Sequence, residues 1–272
     1  MLKQLARSAL KPVSAGVDYL KRPPAGATVL IYHRVGAGSG NEVDLDASVF
    51  ADQMAELAES GRVTSLDDAL AAVSGPEEQT VDPVVVTFDD GTPDVVENAL
   101  PILEQHQIPM TLYLATGFVD ADHGFWQPSD PVLSWSALSA AVSTGLVYVG
   151  SHTHTHALLD RLEGPAVADE LDKSIDAIGT HLGTAPRHFA YPKALPPSPA
   201  ADVLVRERFG SAAIAGTRPN PYGSTDPYLL ARSPIQRSDG MTWFRRKAAG
   251  GMGFEDRLRD LVNKRRYADA SR

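Results

Sequence analysis

Three histidines stand at every second position in the stretch GSHTHTH, residues 150–156, of a chain that contains only eight histidines. His152 and His156 are four residues apart, so on a helical turn they would project from the same face. Two imidazoles in that arrangement can bind one metal ion, and a polar, solvated loop is the alternative explanation. A metal site here would also need a carboxylate from elsewhere in the chain.

Two adjacent aspartates, Asp89 and Asp90, follow the apolar run PVVVTF at residues 83–88. Like charges this close oppose joint ionisation unless a cation neutralises them. A divalent metal bound by His152, His156 and one aspartate would resolve that conflict, and the other aspartate could accept a proton from metal-bound water. An acidic turn explains the aspartates taken alone, but together with the histidine pair they favour a metal-dependent hydrolase.

The candidate residues end short apolar runs that alternate with amphipathic segments. Strands are predicted at 28–35, 83–91, 109–116, 146–151, 187–192 and 211–216, and helices at 48–61, 93–107, 134–145, 166–183 and 201–210. About seven parallel βα units in one domain fit this alternation, which predicts a complete or incomplete barrel. Reactive groups of such folds lie at the carboxyl ends of strands, where His33, the two aspartates, the histidine pair and Tyr191-Pro192 are found.

Composition restricts the chemistry further. The 272 residues are 43% hydrophobic and 22% charged and include no cysteine, which excludes disulfides, thiolate ligands and a cysteine nucleophile. No segment approaches the roughly 20 apolar residues of a membrane span, and no secretory apolar core precedes the first predicted strand. We therefore expect a cytoplasmic protein whose metal is bound by histidine and carboxylate side chains.

The net charge of −9 is unevenly distributed along the chain. Residues 1–22 and 241–272 are basic, whereas residues 23–240 carry a net charge of −18. Such an acidic body would repel nucleic acid. We interpret the ends as solvated basic segments, a helix and linker at 1–27 and a helical extension at 241–272, with contact with an anionic membrane surface as the alternative.

The stretch TFDDG (87–91), followed by HTHTH (152–156), resembles the first two motifs of the polysaccharide deacetylases, the NodB-type group or carbohydrate esterase family four. LIYHRV (30–35) and FAYP (189–192) resemble a branch found in exopolysaccharide and envelope sugar pathways. The resemblance covers residues 28–240 and implies a single catalytic domain with a deformed (β/α)7 barrel. It further implies a hydrolase that removes N-acetyl groups from an N-acetylated sugar or polysaccharide.

The same resemblance assigns roles to individual residues. Asp89 would be the catalytic base, and Asp90, His152 and His156 would bind the metal, for which we expect zinc, with Co²⁺, Ni²⁺ or Mn²⁺ as alternatives. Thr153 occupies the position whose hydroxyl supports the histidine loop.

The third motif departs from the family pattern. It often reads Arg-x-Pro-Tyr-Gly, whereas residues 190–194 read Ala-Tyr-Pro-Lys-Ala, so the arginine that would tune the base is missing. Arg187 or Arg232 could replace it from elsewhere in the chain. The N–H that stabilises the oxyanion would belong to Lys193, and Tyr191 and Pro192 are assigned to substrate binding.

The general acid of many members, in a Leu-x-x-His motif near the C-terminus, is also missing. His33 is our candidate for that role, because an unperturbed imidazole with a pKa of about 6.5 can donate a proton near neutral pH. A structural, hydrogen-bonded histidine is the alternative. Trp126, in a loop before the histidine strand, could stack on a sugar ring, although packing of the loop is the favoured explanation.

Two other functions stay open at this point. One is an amidase of the same fold that acts on a non-sugar C–N bond. The other is a catalytically silent barrel that binds glycans or serves as a scaffold in polysaccharide assembly. A base beside a metal site counts against the silent barrel, because binding alone needs no base.

Overall fold

The structure, a computed structural model, describes residues 22–75 and 79–254 together with Lys11, Pro12, Ser14 and Gly16. Its strands are β1 (Gly26–Tyr32), β2 (Arg34–Val35), β3 (Asp44–Leu45), β4 (Val84–Phe88), β5 (Met110–Leu114), β6 (Val147–Ser151), β7 (His188–Ala190), β8 (Ser211–Ala215), β9 (Asn220–Pro221) and β10 (Leu230–Pro234). Valine, isoleucine and threonine dominate β1 and β4, as expected for strands buried on both faces.

Seven of these strands form a closed barrel in the order β1–β4–β5–β6–β7–β8–β10, and β10 pairs with β1 to close it. All seven pairings are parallel, so the carboxyl ends of the strands meet at one mouth. The short strand β9 adds to β1 in the antiparallel direction, and β2 pairs with β3 outside the barrel. The predicted (β/α)7 barrel is confirmed.

Helices surround the barrel. They are α1 (Ala47–Glu59), α2 (Leu66–Ser74), a π-helical turn (Val95–Ala99) that continues into α3 (Leu100–His106), α4 (Trp135–Ser143), α5 (Gly164–Leu182), α6 (Pro199–Arg208) and α7 (Gly240–Ala248). Short 3₁₀ turns lie at Thr116–Phe118, Leu159–Arg161, Pro192–Ala194 and Arg237–Asp239. Within the described ranges, no helix has both the length and the apolar character needed to cross a bilayer.

Side chains of the strands alternate between an inner and an outer apolar layer, as the pleat of a strand requires. Val29, Val85 and Tyr113 belong to the inner cluster, against which α2 packs Leu66 and Val73. The outer clusters join the opposite faces of the strands to the surrounding helices. Apolar side chains therefore fill much of the interior of the barrel below the mouth.

Part of each predicted terminal segment packs against the barrel. Arg245 on α7 forms an ion pair with Glu56 on α1, with nitrogen and oxygen 2.8 Å apart. Lys247 and Lys11 both contact the buried carboxylate of Asp239, at 2.9 and 2.8 Å. The rest of the predicted N-terminal helix, and the part of the predicted extension beyond residue 254, lie outside the described residues.

Candidate metal centre and catalytic site

Four of the side chains singled out in the sequence meet at the mouth of the barrel. Asp89 and Asp90 follow β4, His152 follows β6, and His156 lies four residues farther along the same loop. Asp90 Oδ1 is 3.7 Å from His152 Nε2 and 3.6 Å from His156 Nε2, and Asp89 Oδ2 is 3.9 Å from His152 Nε2. The structure thus brings together the candidate base and the three candidate metal ligands.

Backbone hydrogen bonds fix the turn after β4 that carries the two aspartates. The Asp89 N–H donates to the Tyr32 carbonyl, and the Asp90 carbonyl accepts from the Ala115 N–H. Asp90 has a left-handed backbone with φ 73°, which aspartate tolerates better than most residues. Gly91 follows with φ 87°, and a Cβ there would collide with Leu114. The turn therefore requires glycine at position 91 and is compatible with aspartate at position 90.

The loop that carries the histidines also contains two left-handed residues, Thr153 (φ 65°) and His156 (φ 58°). Non-glycine residues in that conformation cost of order 1 kcal/mol or more each, so surrounding contacts must stabilise the loop. Glu170 on α5 supplies them, because its carboxylate accepts from the His154 N–H (3.0 Å), the Thr155 N–H (2.8 Å) and the Thr155 hydroxyl (2.8 Å). Sequence reasoning did not find Glu170, although it lies on the predicted helix 166–183.

The middle histidine of the motif points away from the metal candidates. His154 Nδ1 lies 2.9 Å from the Thr116 hydroxyl, and its carbonyl accepts from the Gly117 N–H at 2.8 Å. The Thr153 hydroxyl accepts from the Ala157 N–H at 3.1 Å, which is a local support of the loop. His154 and Thr153 thus shape the loop that presents the two outer histidines.

The donor set fits a divalent cation. His152 Nδ1 donates to the Ala190 carbonyl at 2.7 Å, which leaves the lone pair of Nε2 directed at the aspartates. Burial lowers the pKa of His152. Burial and the neighbouring His152 lower the pKa of His156 to about 2. Both shifts favour the neutral imidazole that a metal requires. One ligand atom from each of Asp90, His152 and His156 lies within 4.8 Å of the others. Ligand atoms around a tetrahedral zinc are about 3.4 Å apart, close to the separations found here.

Asp90 carries a further indication of a cation. Burial, and then the charge of Asp89, raise the pKa of Asp90 well above its usual range. Two ionised carboxylates on adjacent residues are therefore unfavourable in this buried position, and a cation between Asp90 and the histidines would remove the penalty.

Arg232 on β10 contacts the candidate base from inside the barrel. Its guanidinium donates to both oxygens of Asp89, at 2.6 and 2.9 Å, and to the Thr87 hydroxyl at 3.2 Å. Burial alone would raise the pKa of Asp89, but the charge of Arg232 and smaller contributions from His152 and His33 lower it to about 2. Of the two arginines considered from the sequence, Arg232 occupies this position, whereas Arg187 is exposed and pairs with Asp67.

His33 and Trp126 lie next to each other beside this site, with ring centroids 6.3 Å apart. Nδ1 of His33 and Nε1 of Trp126 are both buried without a hydrogen-bond partner among the described residues. Burial lowers the pKa of His33 to about 4, although Asp89 opposes the effect. The structure therefore favours a pKa below the ordinary value assumed from the sequence, because the imidazole is partly buried and lies in the field of Arg232.

The third-motif residues separate into different layers. The Tyr191 side chain is buried in the outer apolar cluster, with its ring 5.0 Å from that of Phe189, so it does not line the mouth as the sequence assignment to substrate binding requires. Pro192 is buried at the start of the 3₁₀ turn, and Lys193 is exposed. The Lys193 ammonium lies 6.0 Å from the centre of the Trp126 ring. Lys193 and Trp126 are thus the members of this set that face the mouth.

Residues 77–206 match the family model described as polysaccharide deacetylase. This range contains Asp89, Asp90, His152, His156 and Lys193, and it excludes His33 and Arg232. One curated relative, an uncharacterised protein of Bacillus subtilis (strain 168) named YlxY, is 24% identical over 118 residues, which are 43% of this chain. The matched part spans only a third of the length of that relative.

Solved structures with the same fold include IcaB from Ammonifex degensii, with a TM-score of 0.72 and 25% identity over 82% of this chain and 98% of that chain. The Streptococcus pyogenes deacetylase PplD, solved in complex with acetate, has a TM-score of 0.71 and 18% identity over 83% of this chain and 99% of that chain. A polysaccharide deacetylase from Bacillus cereus has a TM-score of 0.68 and 22% identity over 82% of this chain and 68% of that chain. Residues 77–206 are thus similar to the polysaccharide deacetylase family, and the barrel has the fold of these solved structures.

Proposed function

We propose that this protein is a metal-dependent hydrolase that removes N-acetyl groups from an N-acetylated sugar or polysaccharide. The observation that carries the proposal is the convergence of Asp90, His152 and His156 beside a carboxylate, Asp89, that Arg232 holds from the other side. The match of residues 77–206 to a deacetylase family supports the reaction class, and the chemistry of the donors supports zinc or a similar divalent ion.

Asp90, His152 and His156 would hold the cation. A divalent cation bound there supplies Lewis acidity, which lowers the pKa of a water molecule and polarises the carbonyl oxygen of the acetamide. Asp89 is ionised throughout the working pH range and accepts the proton from the attacking water. Its basicity is low because of Arg232, so the reaction depends on a water whose proton is already acidic.

Two further groups complete the proposed mechanism. The backbone N–H of Lys193 donates to the oxygen that becomes negative when water adds to the carbonyl carbon. The leaving amine then needs a proton, which returns from Asp89 either directly or through His33. Because the imidazole of His33 is neutral near pH 7, it can deliver a proton only after it has received one during the reaction.

The test combines metal analysis with acetate release. We expect one zinc per chain in the purified protein and acetate release from N-acetylglucosamine oligomers. His152→Ala should lose the metal, whereas His106→Ala, which changes a histidine on α3, should keep it. Asp89→Asn should keep the metal and lose about 10²–10⁴-fold in rate.

Several results would contradict the proposal. Full metal occupancy in His152→Ala would mean that the ligands are misassigned. Near-normal turnover in Asp89→Asn would remove Asp89 from the mechanism. Glycan binding without any acetate release by the zinc-bound protein would favour the silent scaffold.

A further inference from the structure

Lys193 has an unusual backbone for its residue type. It lies in the 3₁₀ turn after β7 with φ 57°, and Ala194 follows with φ 53°. The turn is closed by the Ala194 N–H, which donates to the Tyr191 carbonyl at 2.8 Å. Glycine would adopt this conformation without strain and would offer the same backbone N–H. An oxyanion role for the N–H therefore does not account for the lysine side chain.

The side chain extends over the mouth of the barrel. Its ammonium lies 6.0 Å from the Trp126 ring, which neighbours His33 and Phe125, and the Phe125 ring in turn contacts His156. Next to burial and the charge of His152, Lys193 is a cause of the lowered pKa of His156, which agrees with a position beside the proposed metal ligands.

Two further cations near the mouth, both buried, are paired with carboxylates. Arg232 is bonded to Asp89, and Arg34 contacts Asp94 and Asp130, at 3.3 Å each. Within the part of the chain that the structure describes, no carboxylate lies at ion-pair distance from Lys193. A divalent cation with one carboxylate and two neutral imidazoles would also leave a net positive charge, so Lys193 and the metal centre would together make the mouth cationic.

We propose that Lys193 binds an anionic group, a carboxylate or a phosphate, carried by the N-acetylated sugar itself or by the next unit of the glycan, while Trp126 contacts the sugar ring. This inference rests on the proposed function and names the class of substrate for the same site. The ionic contact is local, because the field of the acidic body is screened beyond about 8 Å at physiological ionic strength. Lys193 therefore decides whether a negatively charged substituent is favourable at this position.

The test is a binding experiment that needs no turnover. Zinc-bound Asp89→Asn protein is titrated with N-acetylglucosamine, with its 1-phosphate and with its 3-O-lactyl ether, and binding is followed by tryptophan fluorescence and calorimetry. We expect the phosphate or the carboxylate sugar to bind about tenfold more tightly than the neutral sugar, as one charge-assisted contact provides. The sugar that binds more tightly shows whether the anionic group is a phosphate or a carboxylate.

Variants of Lys193 then assign the preference. Lys193→Met in the same background should reduce the ratio of the two dissociation constants to about one, and Lys193→Arg should largely preserve it. Lys173→Met is the matched control, because Lys173 is an exposed lysine on α5 that pairs with Asp169. Added salt should weaken the preference in the parent and in the control but have little effect on Lys193→Met.

Three outcomes would overturn the inference. These are equal affinity of the parent for neutral and anionic sugars, an anion preference that survives in Lys193→Met, and an equal loss of affinity for both sugars in that variant. The last result would mean that the ammonium contacts the acetamide or the sugar hydroxyls instead of an anion. Failure of the proposed function is read separately, since it would appear as no acetate release by the wild-type protein.

Discussion

Arg232→Met is the change that tests the electrostatics of the site most directly. Arg232 is 0% exposed, makes two bonds to Asp89 and lies with its guanidinium 4.7 Å from the Tyr113 ring. The difference between an Asp89 pKa of 3.8 and one of about 2 corresponds to roughly 2.5 kcal/mol in favour of the ionised form. Methionine keeps much of the length of arginine but leaves Asp89 as an unpaired buried carboxylate.

The expected loss of stability follows from that unpaired charge. Breaking a buried ion pair by removing one partner costs about 3–5 kcal/mol, which we expect near pH 7. In the wild-type protein the pKa of Asp89 is lowered by folding, so its contribution is present above about pH 4 and is lost as the pH falls towards 2. In the variant, burial raises the pKa of Asp89 above that of the unfolded chain, so the destabilisation grows as the pH rises from 4 to 7.

Urea unfolding of the metal-free protein at pH 4.5 and pH 7 measures this difference. The rate of acetate release is also measured as a function of pH. The acidic limb of this profile should lie at higher pH in Arg232→Met than in the wild-type protein, because Asp89 ionises at higher pH in the variant. Arg206→Met is the control, since Arg206 is partly exposed and its pairs with Asp202 and Asp226 should contribute less than about 1 kcal/mol. An Arg232→Met protein as stable as this control, with an unchanged pH profile, would refute the assigned role of Arg232.

Three further predictions concern other parts of the molecule. Glu170→Gln removes the charge that holds the histidine loop and should weaken zinc binding about 10–100-fold in a chelator competition, whereas Glu163→Gln, at the start of the same helix, should not. Asp239→Asn leaves two buried lysines without their carboxylate and should lower the free energy of unfolding, measured in urea at pH 7, by about 3–5 kcal/mol. Because the lysines outweigh burial and lower the pKa of Asp239, this loss should shrink as the pH falls below about 4, and a pH-independent loss would contradict the account. His33→Ala should slow hydrolysis of an acetamide much more than that of an activated aryl acetate, whose leaving group needs no proton, and equal slowing would make His33 a positioning residue.

The barrel and the central four residues could be predicted from the sequence because their signals are local. The stretch VVVTF, rich in β-branched residues and followed by DDG, indicates a buried strand that ends in a polar turn. The spacing of His152 and His156 adds a second local signal. Parallel strands bring their carboxyl ends together, so residues that end different strands become neighbours without any knowledge of the long-range contacts.

The last barrel strand shows where local reasoning failed. β10 reads LARSP, with an arginine in its centre and a proline at its end, and neither residue suggests a buried strand. The strand exists because β1 and β8 flank it and because Asp89, which follows β4 on the far side of β1, neutralises Arg232. Both reasons depend on partners far away in the sequence, and this strand supplies the arginine that the third motif lacks.

The orientation of Tyr191 could have been found with a closer look at the same stretch. Side chains alternate along a strand, so Phe189 and Tyr191 must lie on one face and Ala190 on the other. Ala190 belongs to the inner cluster, which places both aromatic rings in the outer layer. The same rule places His33 on the face of Val29, inside the barrel, where it meets the field of Asp89 and Arg232.

The burial of the site separates its chemistry from its selectivity. Asp89, Asp90 and His152 are almost fully buried. Asp89 is bonded to Arg232 and His152 to the Ala190 carbonyl, and Asp90 contacts both histidines, so a change at any of them disturbs several contacts at once. Lys193 and Trp126 lie instead on an exposed turn and a loop. On the proposed function, substitutions there should alter which glycan binds without moving Asp89 or the proposed metal ligands. Differences in substrate between proteins with this barrel should therefore arise at the turn after β7 and in the loop around Trp126, whereas substitutions of the buried groups should abolish the reaction for every substrate.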